Sequence, residues 1–226
     1  MFIDEFGLKK ESVIALPLAI DDDLFLGFNV DEPTKNASLT IFFVGTLIPL
    51  HGITTVLKTA RLLMPDPRFR FCLIGDGQEA QRIEHEAATF DQKRFSWIKG
   101  WVDLPQIAAK MNQADICLGI FGGEGKASRV LPFKIYMYLA GGKAVVSQDT
   151  FSLPESTPSP PILTANPANP QDIARSIIRL ADDVRLRRQL EREARAYYKH
   201  YLGWQRIADI WRRLLNDITV DRPKSE

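Results

Sequence analysis

The sequence predicts an α/β chain: a doubly wound, Rossmann-like parallel sheet with helices on both faces, followed by further helices at the C-terminus. Three observations carry this. From Thr40 onward, short apolar runs alternate with longer amphipathic ones. The short runs lack the in–out alternation of a sheet with one wet face, so both faces are expected to be covered, as in parallel sheets. Glycine or a polar residue closes each run where it should pass into a helix. Right-handed crossovers then make a layered sandwich the default arrangement.

The elements follow in order. Thr40–Val44 is β-branched and aromatic, stops at Gly45, and reads as the first core strand. His51–Met64 sets Ile53, Val56, Leu57, Ala60 and Leu63 on one helical face. Phe69–Ile74 is the second strand, closed by Gly75, and Gly77–Phe90 the next helix, with Ala80, Ile83 and Ala87 on one side. Phe95–Lys99 is the third strand, ended by Gly100; Asp103–Gln113 is a short helix turning Ile107, Ala108 and Met111 inward. Asp115–Ile120 is the fourth strand, Phe133–Ala140 a helix and Ala144–Ser147 the fifth strand. Ahead of this block, one strand is expected at Val13–Leu16, then an acidic turn at Asp21–Asp23 and a polar stretch to Ser38. Behind it, Ser152–Pro170 reads as loop broken by a short extended piece, Ile162–Thr164. Gln171–Asp182, Asp183–Tyr201 and Trp204–Ile218 read as three helices. The expected organisation is an interdomain segment and linker over 1–38, a Rossmann-like domain over 39–182, and C-terminal helices over 183–226.

Composition narrows the function classes. The 226 residues are 45% hydrophobic and 25% charged, which excludes a disordered or collagen-like chain. Twenty-nine basic against 28 acidic residues leave a net charge of +1, so no overall field points to nucleic acid. Cys72 and Cys117 sit inside apolar runs and read as buried thiols of a reducing compartment. No apolar stretch approaches the roughly 20 residues of a membrane span, and the acidic opening Met1–Phe6 does not read as a signal peptide. A cytoplasmic chain is expected. Arg175–Arg213 carries a basic excess. That excess reads either as solvated helix faces or as a surface resting on a partner domain or on the inner face of an anionic membrane.

In an open parallel sheet, ligands lie beyond the carboxyl ends of the strands. Four loops of this sequence gather glycines there: Gly45–Gly52, Gly75–Gly77, Gly100–Val102 and Phe121–Pro132. The fourth carries the clearest chemistry. Pro132 stands where a helix should open, and the free amides of a helix start bind phosphate. Lys126, Arg129 and Lys134 flank that point, with Glu124 the acid of the loop. Such a cationic set suits a diphosphate. Other motifs fit less well. Gly75-Asp76-Gly77-Gln78-Glu79-Ala80 matches the dinucleotide fingerprint, but the next strand ends at Lys99-Gly100 without the ribose-binding acid, which disfavours a dehydrogenase. Gly125-Lys126 with Ser128 lacks the first P-loop glycine, since Ile120 stands there. His51, His85 and His200 are far apart, so no metal site is expected.

Taken in order, these loops resemble the C-terminal, donor-binding domain of a GT-B glycosyltransferase of family 4 (group 1). Gly45–Gly52 is similar to the family's G-R-L-x-x-x-K-G loop, and Ile74–Glu79 to its I-G-D/E-G-P-E turn. Gly100–Val102 through Ala114–Ile116 resembles the segment whose backbone holds the nucleotide base. Phe133–Val146 resembles K-x-x-E-x-x-A-x-G-K-P-V-V, Val13–Phe25 the family's lead into this domain, and Tyr197–Leu215 its last helix, which returns to the first domain.

The resemblance implies one half of a GT-B fold in a retaining glycosyltransferase. It uses a nucleotide-diphosphate sugar as substrate and needs neither metal nor another cofactor. It implies Arg129 and Lys134, with Glu124, at the leaving diphosphate. Gly45, Thr46, His51, Gly75, Gly77, Lys126, the helix amide at Phe133 and the position of Met137 would contact the donor, and Val102 would border the base. It also implies a preceding acceptor-binding domain as partner, without which the chain transfers no sugar. The sequence departs from the pattern at Thr46 and His51, where the family has Arg and Lys, and at Arg129 and Met137, where it has paired glutamates. These departures keep a second reading open, a non-catalytic binding module of the same fold.

Overall fold

The computed structural model describes residues 5–9, 12–14, 16, 18, 20–28, 38–153 and 157–220, without the side chains of 217–220. Six parallel strands form one sheet in the order β3-β2-β1-β4-β5-β6. They are β1 (Leu39–Val44), β2 (Phe69–Gly75), β3 (Phe95–Lys99), β4 (Ile116–Leu118), β5 (Ala144–Gln148) and β6 (Leu163–Ala165). The helices are α1 (Asp23–Leu26), α2 (Ile53–Leu63), α3 (Ala80–Ala87), α4 (Leu104–Asn112), α5 (Phe133–Ala140), α6 (Pro170–Asp182), α7 (Val184–Tyr197) and α8 (Trp204–Val220).

The pleat divides β1 between two cores. Leu39, Ile41 and Phe43 face α2, α3 and α6 in one apolar cluster; Phe42 and Val44 face α4, α5 and the end of α7 in the other. Burial on both faces explains the uninterrupted apolar strands. The chain reverses its direction of winding between β1 and β4. There Ile41 pairs with Ile116 and Phe42 with Cys117, and the Asp115 carboxylate accepts the Thr40 amide at 2.8 Å.

Several elements differ from expectation. Among the described residues, Val13, Ile14 and Leu16 form no strand, and Val13 and Ile14 are exposed. A strand needs a ladder partner, and every described ladder runs between β1 and β6. The acidic turn continues into α1, which drives Phe25 wholly into the second core. The extended piece near Ile162 is the sixth strand, parallel to β5 through Val146–Leu163 and Gln148–Ala165. The fourth strand is shorter than its apolar run, although Gly119 still donates to Val146 O at 2.9 Å and Ile120 O accepts from Gln148. The long helix expected to reach Tyr201 stops at Tyr197, and Tyr198–Leu202 widens into a π turn. That turn buries Tyr198 and Leu202 completely, and the Tyr198 hydroxyl bonds the Asp22 carboxylate. Cys117 is buried but Cys72 only half so, and both are free thiols. Among the described residues, no helix is long and apolar enough to cross a membrane.

Candidate functional site

The winding reverses between β1 and β4, and in open α/β sheets a ligand crevice is expected beyond the carboxyl ends of the strands at such a point. Its floor is built from backbones packed edge to edge. Gly75 holds φ +138°, and a Cβ there would stand 1.8 Å from Gly45 O. The second loop continues against the first: Glu79 donates to Leu47 O at 2.8 Å, and a Cβ on Gly77 would approach Thr46 O to 2.8 Å. A Cβ on Gly52 would meet the Phe121 carbonyl at 2.4 Å, which ties the first loop to the fourth. Glycine at these turns serves close backbone approach as well as dihedral freedom.

Three elements converge above this floor. A Cβ on Gly45 would lie 2.7 Å from His51 Nδ1 and 2.8 Å from Lys134 Nζ. His51 comes from the 3₁₀ turn Pro49–His51 and Lys134 from the first turn of α5, and both flank the ring of Phe43. Lys134 Nζ sits 3.9 Å from the ring centroid, while His51 meets the ring edge to face with centroids 5.9 Å apart. Lys134 is 5% exposed and His51 8%. Neither Lys134 Nζ nor His51 Nδ1 has a hydrogen-bond partner in the protein.

A buried amine without a carboxylate is costly in its charged form. Burial accordingly holds the Lys134 amine well below its ordinary range. Burial, and then the neighbouring Lys134, lowers the His51 imidazole to about 3. The His51 imidazole is therefore neutral at pH 7, and burial disfavours the charged form of both groups, so each takes up a proton most readily beside an anion. His51 also sets a pH dependence. Its folded-state value lies below the unfolded 6.5, so its contribution to stability is complete above pH 6.5 and drains away as the pH falls toward 3. Over that window the wild type is expected to lose stability relative to His51→Leu by about 1 kcal/mol per pH unit, measured by urea unfolding from pH 7 to pH 4. Parallel stability curves would contradict this.

The other expected site residues are distributed differently. Pro132 caps α5 from outside with extended backbone and accepts the Ile135 amide at 2.9 Å, so it precedes the first turn instead of opening it. Arg129 lies exposed on the 3₁₀ turn Ala127–Arg129, with Lys126 and Glu124 exposed on the loop before it. The expected cationic group thus divides into a buried Lys134 and exposed loop cations. Phe133 is partly exposed at the first position of α5. Thr46 is exposed, Val102 packs half-buried against the second core, and Met137 is buried inside that core. His51, treated in the sequence as one loop residue among several, is instead half of the buried pair.

Two supporting residues escaped the sequence reading. The Gln148 side chain, buried past the expected end of the fifth strand, accepts from Gly123 N at 3.0 Å and donates to Ala127 O at 2.9 Å, fixing the fourth loop. Its signal was a polar residue closing an apolar run. The Tyr138 hydroxyl accepts from Val44 N at 3.3 Å at the end of β1. Among the described residues, no three His, Cys, Asp or Glu side chains gather as a metal-binding group.

Residues 38–183 match the family model described as Glycosyl transferases group 1. The chain belongs to this family. No curated protein matches it. Solved structures share its fold at low identity. Sucrose-phosphate synthase (tll1590) from Thermosynechococcus elongatus is 20% identical with a TM-score of 0.69, covering 92% of this chain and 53% of its own. Anabaena Alr3699/HepE in complex with UDP is 15% identical with a TM-score of 0.71, covering 95% and 60%. The C-terminal domain of a glycosyl transferase group 1 family protein (LpcC) from Francisella tularensis is 17% identical with a TM-score of 0.60, covering 80% and 97%. The chain therefore spans little more than half the length of the first two and nearly all of the isolated C-terminal domain. That supports the GT-B half expected from the loops.

Proposed function

We propose that this chain is the donor-binding half of a glycosyltransferase, holding a nucleotide-diphosphate sugar with its diphosphate at Gly45, His51 and Lys134. The observation that carries this reading is a buried amine and imidazole, unpartnered in the protein, aimed at one glycine in the crevice. The amides opening α5 add the partial positive charge of a helix start on the same side. The exposed Arg129 and Lys126 close over the phosphates from the fourth loop. In sugar transfer with retention, the bond from the sugar's anomeric carbon to the diphosphate oxygen breaks and the acceptor hydroxyl oxygen bonds to that carbon. The hydroxyl proton passes to the departing diphosphate. Charge grows on the diphosphate as the bond breaks, so Lys134, protonated there, stabilises the transition state more than the ground state. No metal and no other cofactor enters this reading.

The acceptor would come from a preceding domain, because the chain spans about half of its two-domain likenesses. The last helix offers that domain a surface: Trp204, Trp211 and Leu215, spaced seven and four positions apart, leave an exposed apolar stripe on α8. A second reading, a binding module without catalysis, is favoured by Met137, buried where the resembled family has a glutamate.

Calorimetric titration with uridine, guanosine and adenosine diphosphate sugars tests the proposal. One donor is expected to bind saturably, about 10-fold more weakly to Arg129→Ala, with no sugar transferred by the isolated chain. Absence of binding across the panel would refute the donor assignment. Binding by a longer chain carrying the preceding domain, with no turnover on any acceptor, would favour the module.

A further inference from the structure

We infer that the amino edge of the sheet carries a second anion site, a cationic cavity that takes the phosphate group of a small phosphomonoester. It does not depend on the donor reading proposed above. The cavity holds about 190 Å³ beside the starts of β1, β2 and β3, and its walls include Arg70, Lys93, Arg94 and Lys110, with Cys72 and Gln113. Among the described residues, no acidic side chain lines it. The crevice lies at the other end of the same strands. Arg70 and Gly75 are five positions apart on β2, about 16 Å of extended chain, so a small ligand here touches none of the crevice residues.

Charge sets this cavity apart. Arg94 is paired, its Nε donating to Asp91 Oδ2 at 3.2 Å. Arg70 is held by neutral acceptors instead, donating from Nε to Ser38 Oγ at 3.0 Å and from Nη1 to Lys93 O at 3.3 Å. Those bonds orient the guanidinium without compensating its charge and leave Nη2 able to donate elsewhere. Lys93 and Lys110 make no ion pair with a described residue. Lys110 reaches in from α4, near enough for its charge to act on the Cys72 thiol.

Three uncompensated cations, Arg70, Lys93 and Lys110, thus share one concave surface, where their fields add and draw in counter-ions. A phosphate dianion relieves their mutual repulsion, and the planar fork of arginine suits its oxygens. Gln113, at the end of α4, supplies a neutral amide donor on the same wall. The volume suits a phosphate group on a small organic body.

The test titrates the full chain calorimetrically with inorganic phosphate and with glycerol 3-phosphate, and floats it with phosphatidylcholine vesicles containing phosphatidic acid. The free phosphates are expected to bind at about 1 mM or tighter, and about 10-fold more weakly to Arg70→Gln and to Lys110→Gln. Both variants should keep the wild-type urea midpoint, and Lys134→Met should retain the binding. Capture by vesicles without binding of the free phosphates, lost in the same two variants, would support the site with a lipid as the source of its phosphate. Phosphate binding that Lys134→Met abolishes, or that neither glutamine variant weakens, would overturn the site. So would a wild-type chain that takes neither free nor vesicle phosphate.

Discussion

Lys134→Met is expected to yield a more stable protein that no longer holds the proposed diphosphate. The wild-type amine is enclosed, lies against Phe43 and finds no acceptor in the protein. Methionine keeps an unbranched stem in the same space and removes the orphaned polar atom. Leaving such a group unsatisfied costs about 1–3 kcal/mol, so a gain of that order is expected in urea unfolding. The gain should grow as the pH falls: the amine's folded-state value is depressed, so below its ordinary range the unfolded chain binds a proton that the folded chain refuses. Binding moves the other way. A charge-assisted contact to phosphate contributes about 1.5–3 kcal/mol, so affinity should fall roughly 10- to 100-fold. Calorimetry in two buffers of different ionisation enthalpy should also show proton uptake on binding to the wild type and less of it in the variant. A Lys134→Met protein that is destabilised and still binds would show the lysine to be a packing residue.

Gly75→Ala is expected to be the most damaging small substitution in the crevice. Its Cβ would fall 1.8 Å from Gly45 O, on a backbone at φ +138° that residues with side chains rarely adopt. Strain and overlap together should cost upward of about 3 kcal/mol, measured as the shift in urea midpoint. Gly100→Ala separates the two contributions, since Gly100 is also at positive φ but has nothing within 4 Å. It should cost about 1 kcal/mol, the dihedral part alone. Equal losses at the two positions would remove the backbone contact as the cause.

How much of this was legible depends on whether a property is local. The strands of the central sheet could be read because burial on both faces leaves an unbroken apolar run, as in Ile41–Val44. Leu163–Ala165 could be read only as a short extended piece, offset by one residue, because three residues in a Pro- and Ser-rich stretch carry no period and become a strand by pairing with β5. The π turn was equally hidden: it arises where Tyr198 must reach both the second core and Asp22. In the crevice, the glycines announced the close approach of loops, and Lys134 was visible as a cation near a helix start. Its burial was signalled by its neighbours, since Lys134 interrupts an otherwise uncharged run from Val130 to Ala140. Its pairing with His51 was not visible, because 83 positions separate two residues that meet only when β1 and β4 lie side by side.

That adjacency also bears on how the chain folds. Every ladder in the sheet is parallel, so none can form from a hairpin; each waits for a crossover to close. The β1–β2 unit spans few residues, but the clasp between Thr40 and Asp115 joins chain 75 positions apart. Loop closure of that length comes late and slows refolding. Until then α5 has no β4 beside β1 to dock against, so a newly made chain brings Lys134 to His51 only in the last stage of collapse.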